Sequence, residues 1–143
     1  MHHVSLRIAD IHRSLAFYAE LGFSVETKFT AGMALACWLQ GPHGRLELLQ
    51  VPQPHPAADA FGDEHYTGYY HLSLDVTAEA PSLPQWLDRF QQRLTAVGLA
   101  AAPLLLPPGQ QQIGTQIYEV AFVADPDGLP IELLRTPSEP ILG

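Results

Sequence analysis

The chain has one cysteine, no charged run of either sign and no long apolar stretch, and each absence excludes something. Cys37 has no second thiol to pair with, so no internal disulfide forms and a reducing, cytoplasmic setting is expected. Only 7 Lys and Arg stand against 15 Asp and Glu, a formal charge of −8, and the basic residues are scattered. Binding to a nucleic-acid backbone depends on neutralising several phosphates at once, so nucleic acid is not an expected partner. The longest apolar stretch, 97–106, is interrupted by Pro103 and falls well short of the roughly 18 residues a membrane span requires. No basic segment followed by an apolar one opens the chain, so no secretory signal is expected. At 143 residues the chain is long enough for one core that buries roughly two-thirds of its unfolded surface, without help from a disulfide or structural metal.

What is present is a repeat. His3-Val4-Ser5-Leu6-Arg7-Ile8 alternates as a half-buried strand. Asp10 is an N-cap for a helix with Ile11, Leu15, Tyr18 and Leu21 on one face, and Gly22 closes it. Strands follow over 23–29, 33–40 and 45–51, separated by turns at Thr30-Ala31-Gly32 and Gly41-Pro42-His43-Gly44. Residues 52–67 are Pro-rich, polar and acidic and read as a crossing. A second β-α-β-β-β series then has a strand over 69–76, a helix over 82–97 with Ser82 as N-cap, and strands over 99–106, 115–124 and 129–135. Asp125-Pro126-Asp127-Gly128 makes the last turn. The organisation is therefore α+β in one domain: module 1 (1–51), crossing (52–67), module 2 (68–136) and a short tail (137–143). His3-Val4-Ser5-Leu6 returns 68 positions on as His71-Leu72-Ser73-Leu74, and Leu46-Glu47-Leu48-Leu49 returns 85 positions on as Ile131-Glu132-Leu133-Leu134. The unequal offsets place an insertion inside module 2, with the polar stretch Gly109–Gly114 as its expected site.

Each module thus offers a histidine opening its first strand and a glutamate within its last. Imidazole and carboxylate together suit one divalent ion such as Zn, Ni, Fe, Mn or Co. A carboxylate in an apolar strand calls for a neutralising partner, and a divalent ion is one. Strand alternation places Ser5 and Arg7 on the face of His3, and Ser73 and Asp75 on the face of His71, which makes these four the candidate substrate-binding residues. His12, His43, His55 and His65 fall on a helix surface or in loops and are expected to be solvated. Tyr69, Tyr70, Trp38 and Trp86 are expected in the core or at an interface.

These segments, with Ser14-Leu15-Ala16-Phe17-Tyr18, Leu21-Gly22-Phe23 and Gly44-Arg45-Leu46-Glu47-Leu48, resemble the vicinal oxygen chelate superfamily, and within it the glyoxalase I-like members. The resemblance implies two βαβββ modules curled into an open mixed-sheet barrel around one metal, held by His3, Glu47, His71 and Glu132. It implies a lyase or isomerase acting on an α-oxo or α-hydroxycarbonyl small molecule through a metal-stabilised ene-diolate, with Glu132 the favoured base and Glu47 its counterpart. It also implies a homodimer. Arg7 matches an arginine that glyoxalase I relatives use for a glutathione carboxylate. Its repeat equivalent, however, is the acidic Asp75, and Val51 stands where those relatives carry an asparagine; both departures count against glutathione. Two other readings stay open. An iron-dependent ring-cleaving dioxygenase would use His3, His71 and Glu132 alone, and a bleomycin-resistance-type binding protein would use no metal.

Overall fold

A computed structural model describes residues 1–137; the tail expected at 137–143 lies, beyond its first residue, outside the described residues. The elements run β1 (Val4–Ile8), α1 (Ile11–Ala19), β2 (Ser24–Ala31), β3 (Ala34–Gly41), β4 (Gly44–Gln50), β5 (Leu72–Asp75), α2 (Leu83–Ala96), β6 (Leu104–Ile113), β7 (Gln116–Ala124) and β8 (Pro130–Arg135). They form two four-stranded mixed sheets of identical plan, β1-β4-β3-β2 and β5-β8-β7-β6. In each, the first strand lies parallel to the last and the other pairs are antiparallel. The sheets do not close on themselves.

Both helices begin where the sequence supplies a cap. The Asp10 carboxylate accepts from the His12 and Arg13 amides, and the Ser82 hydroxyl accepts from the Gln85 amide. One face of each sheet packs on these helices. Ile8, Leu46, Leu48, Leu74, Ile131 and Leu133 are buried there with Phe17, Phe90 and Leu94 in a single core. The intervening residues point to the opposite, open face, as the period of two along a strand requires.

Residues 52–71 contribute no strand. The strand expected from Tyr69 begins only at Leu72, and Tyr69 is almost wholly exposed. The stretch 99–103 is likewise irregular, while Gly109–Gly114, expected as a loop, lies mostly in β6. The insertion is thus an elongated β6–β7 hairpin turning at Gly114 (φ 62°). Pro107 and Pro108 fit into β6 because it is the edge strand and is bulged there, so their missing amides leave no ladder bond unmade.

Contacts between modules centre on the last turn. The Tyr18 hydroxyl donates to Asp125 Oδ2 at 2.7 Å, and Asp125 Oδ1 accepts from the amides of Asp127 and Leu129. Asp127 in turn accepts from Arg13 and from the Ala9 amide. His43, expected to be solvated, is instead largely buried, its Nε2 3.6 Å from Glu79 of module 2. The β3–β4 turn carries it there.

Candidate functional site

The open face of each sheet carries one histidine–serine–glutamate cluster. In module 1 Ser5 on β1 stands opposite Glu47 on β4, and in module 2 Ser73 on β5 stands opposite Glu132 on β8. The parallel pairing of first and last strands creates this juxtaposition, so two residues far apart in sequence meet at the same register position in both modules. Each serine hydroxyl donates to Oε1 of its glutamate at 2.7 Å. His3 Nε2 lies 3.6 Å from Glu47 Oε2, and His71 Nε2 lies 3.7 Å from Glu132 Oε1. The glutamate side chains are 16% and 15% exposed.

The two clusters differ in which glutamate oxygen the histidine approaches and in the residue that faces the glutamate. Trp38 on β3 faces Glu47 across the β3–β4 ladder, and its indole Nε1–H donates to Oε2 at 2.9 Å. Both Glu47 oxygens are therefore occupied, and the indole and the Ser5 hydroxyl hold its carboxyl below the ordinary glutamate range. At the corresponding position facing Glu132 stands Phe122, which has no donor. Among the described residues Glu132 Oε2 receives no hydrogen bond. Trp38 is a site residue that sequence reasoning assigned to core or interface. Its signal was in the hairpin: with Gly41 opposite Gly44, counting three residues back and three forward brings Trp38 opposite Glu47.

The histidine rings are held from different sides. His2 and His3 share an Nδ1···Nδ1 hydrogen bond of 2.8 Å, and the His2 ring sits edge-on to Trp38. His71 packs between Tyr70 and Phe122, its Nδ1 buried without a partner among the described residues. In both cases Nε2 is the nitrogen turned to the glutamate. Two donors on one ion, each about 2.1 Å from it at a tetrahedral angle, lie about 3.4 Å apart. The separations of 3.6 and 3.7 Å fit a shared divalent ion in either cluster. Within one chain, however, no three His, Cys, Asp or Glu side chains among the described residues come together closely enough to hold a metal. The four expected ligands are brought together as two pairs.

Of the four expected substrate-binding residues, Ser5 and Ser73 commit their protons to the glutamates. Arg7 projects from the open face of β1 and has no ion-pair partner among the described residues. Asp75 is not paired with it: its carboxylate accepts from the Thr77 amide and hydroxyl, which hold it below the usual aspartate range. A cavity of about 910 Å³ takes in Ser5, Arg7 and Leu49 from the open face of module 1 and Tyr66, Tyr69 and Tyr70 from the crossing. A second, of about 510 Å³, is lined by His3 and Ser5 on one side and Tyr70 and His71 on the other. Leu104–Leu106 line neither cavity.

The same plan occurs in known proteins. A glyoxalase family protein from Enterococcus faecalis superposes with a TM-score of 0.68 at 22% identity, covering 94% of this chain and 96% of that one. A glyoxalase I variant from Zea mays gives 0.66 at 19% identity over 98% of this chain and 46% of that one. These likenesses establish the fold. A curated relative from Synechocystis sp., described as a probable lactoylglutathione lyase, is 26% identical over 96% of this chain and 95% of its own length. The family model described as Glyoxalase/Bleomycin resistance protein/Dioxygenase superfamily matches residues 1–133. With its repeated sheets and paired histidine–glutamate clusters, the chain belongs to that superfamily.

Proposed function

We propose that the protein is a metal-dependent, glyoxalase I-like lyase or isomerase that moves a proton between adjacent carbons of an α-oxo or α-hydroxycarbonyl compound. The observation that carries this reading is the repeated histidine–serine–glutamate cluster, with the glutamate held in the same way by serine on both open faces. His3, Glu47, His71 and Glu132 would hold one divalent ion, which when bound polarises a substrate carbonyl and acidifies the neighbouring C–H. The Synechocystis relative's description agrees with this class of reaction.

Glu132 is the proton carrier. Among the described residues its Oε2 receives no hydrogen bond, so it takes the proton from the carbinol carbon and returns it to the former carbonyl carbon, while the carbinol hydroxyl proton passes to the former carbonyl oxygen. Ser73 keeps Oε1 oriented throughout. Substrate and product are isomers, and no further reactant is consumed. Glu47, with both oxygens engaged, serves as a stationary ligand. A dioxygenase reading would leave Glu47 idle, although it repeats the geometry of Glu132.

One chain supplies two pairs of ligands, so a homodimer completes the site, module 1 of one chain facing module 2 of its partner. The test is solvent-deuterium incorporation at the α-carbon, followed by NMR. It uses protein loaded in turn with Ni, Zn, Co, Mn or Fe, with hydroxyacetone and the methylglyoxal–glutathione hemithioacetal as substrates. Exchange that depends on the ion and disappears in Glu132→Gln supports the proposal; full exchange in that variant defeats the assignment of the base.

A further inference from the structure

The two half-sites share the histidine–serine–glutamate plan but differ at the residue facing the glutamate, and that difference has a chemical consequence. We propose that Trp38 is a positioning residue that locks Glu47 in place, making module 1 the anchoring half of the site and leaving the mobile carboxylate to module 2. The inference rests on the reading that Glu47 is one of four ligands to a divalent ion.

The indole donates to Oε2, the same oxygen that lies 3.6 Å from His3 Nε2, while Ser5 takes Oε1. One lone pair on Oε2 goes to the indole, and the other remains for an ion. An N–H bonded to a ligating oxygen favours the ionised carboxylate and fixes its rotamer, which are the two services an outer-sphere partner gives a metal ligand. Packing alone would not require this contact, because Phe122 fills the corresponding position in module 2 without any donor. The indole also makes edge-on ring contacts with Phe29 and His2, at centroid distances of 5.5 and 4.9 Å.

Trp38→Phe removes the donor and keeps the ring. Metal affinity, measured for Zn and Ni by competition with a chromophoric chelator, is expected to fall about tenfold or more. Phe29→Leu disturbs the packing around the indole but leaves its hydrogen bond, and should bind within about threefold of the unmodified protein. Metal-free Trp38→Phe should retain cooperative thermal unfolding. Affinity within threefold of the parent in Trp38→Phe would overturn the proposal, as would equal losses in both variants.

A second readout is independent of metal. The chain has two tryptophans, so ¹⁵N-indole labelling gives two N–H signals, assigned with Trp38→Phe. The Trp38 signal should shift upfield in Glu47→Gln and stay in place in Glu132→Gln. If the unmodified protein binds none of the ions, the four-ligand reading fails, and the indole signal then decides the proposal: a shift in Glu47→Gln alone supports Trp38 as holder of that carboxylate. No shift, or a shift in both variants, overturns it.

Discussion

Replacing Tyr18 with phenylalanine removes one hydrogen bond, and the structure sets both the size and the pH dependence of the loss. The Tyr18 hydroxyl is fully buried and donates at 2.7 Å to Asp125, which is 3% exposed. Asp125 Oδ1 is saturated by two backbone amides, so among the described residues loss of the tyrosine leaves Oδ2 buried without a donor. A hydrogen bond to a charged group contributes about 1.5–3 kcal/mol, against about 1 for a neutral one. Near pH 7 the expected cost is therefore about 2 kcal/mol, a fall of roughly 6–10 °C in Tm for a chain of this size. Burial raises the folded-state pKa of Asp125, so its carboxyl favours folding most below the unfolded value of about 3.9, and that contribution is lost as pH rises through the folded value. The Tyr18 hydroxyl opposes the rise. Tyr18→Phe pushes the folded value further up, and the deficit should grow with pH. Urea unfolding at about pH 4.5 and pH 7 should show it shrink toward about 1 kcal/mol in acid, where the lost bond is closer to neutral. Equal deficits at both pH values would show that the Tyr18 hydroxyl does not favour the ionised Asp125 carboxylate. So would an undiminished loss in an Asp125→Asn background, where no charge is stranded.

Two further outcomes are expected. A mixed dimer of His3→Ala and His71→Ala chains should recover one working site of two, because one intact module 1 then faces one intact module 2; activity no higher than that of either inactive parent would place the whole site within a single chain. Leu133→Ala, on the core face of β8 between Glu132 and Leu134, should cost about 2–5 kcal/mol in urea unfolding, since Leu133 is fully buried. A loss below 1 kcal/mol would contradict the alternation that turns Glu132 to the open face.

The repeat was legible because each module must place the same few side chains at the same register, and His-x-Ser-Leu and apolar-Glu-Leu-Leu record that demand in letters. The period of two then sufficed to put Ser5 and Arg7 on the face of His3, and Ser73 and Asp75 on that of His71. The task of Ser5 and Ser73 was less readable: both hydroxyls turn to a carboxylate on a neighbouring strand, and parity alone does not distinguish that from a substrate contact. Trp38 looked like core because an indole is mostly apolar surface, and its one polar atom matters only once the hairpin register is known. The β6 strand was hidden by Pro107 and Pro108, which an edge strand tolerates and a central strand would not. The pairing of His43 with Glu79 was beyond reach, since it depends on how the β3–β4 turn meets the other module.

In the proposed site four side chains, two from each kind of module, share one divalent ion. Elemental analysis after metal loading and desalting tests that sharing most directly. One ion per chain is expected in the unmodified protein, with near-complete loss in both His3→Ala and His71→Ala. Undiminished occupancy in either variant would show that a single pair suffices, and would contradict the shared site.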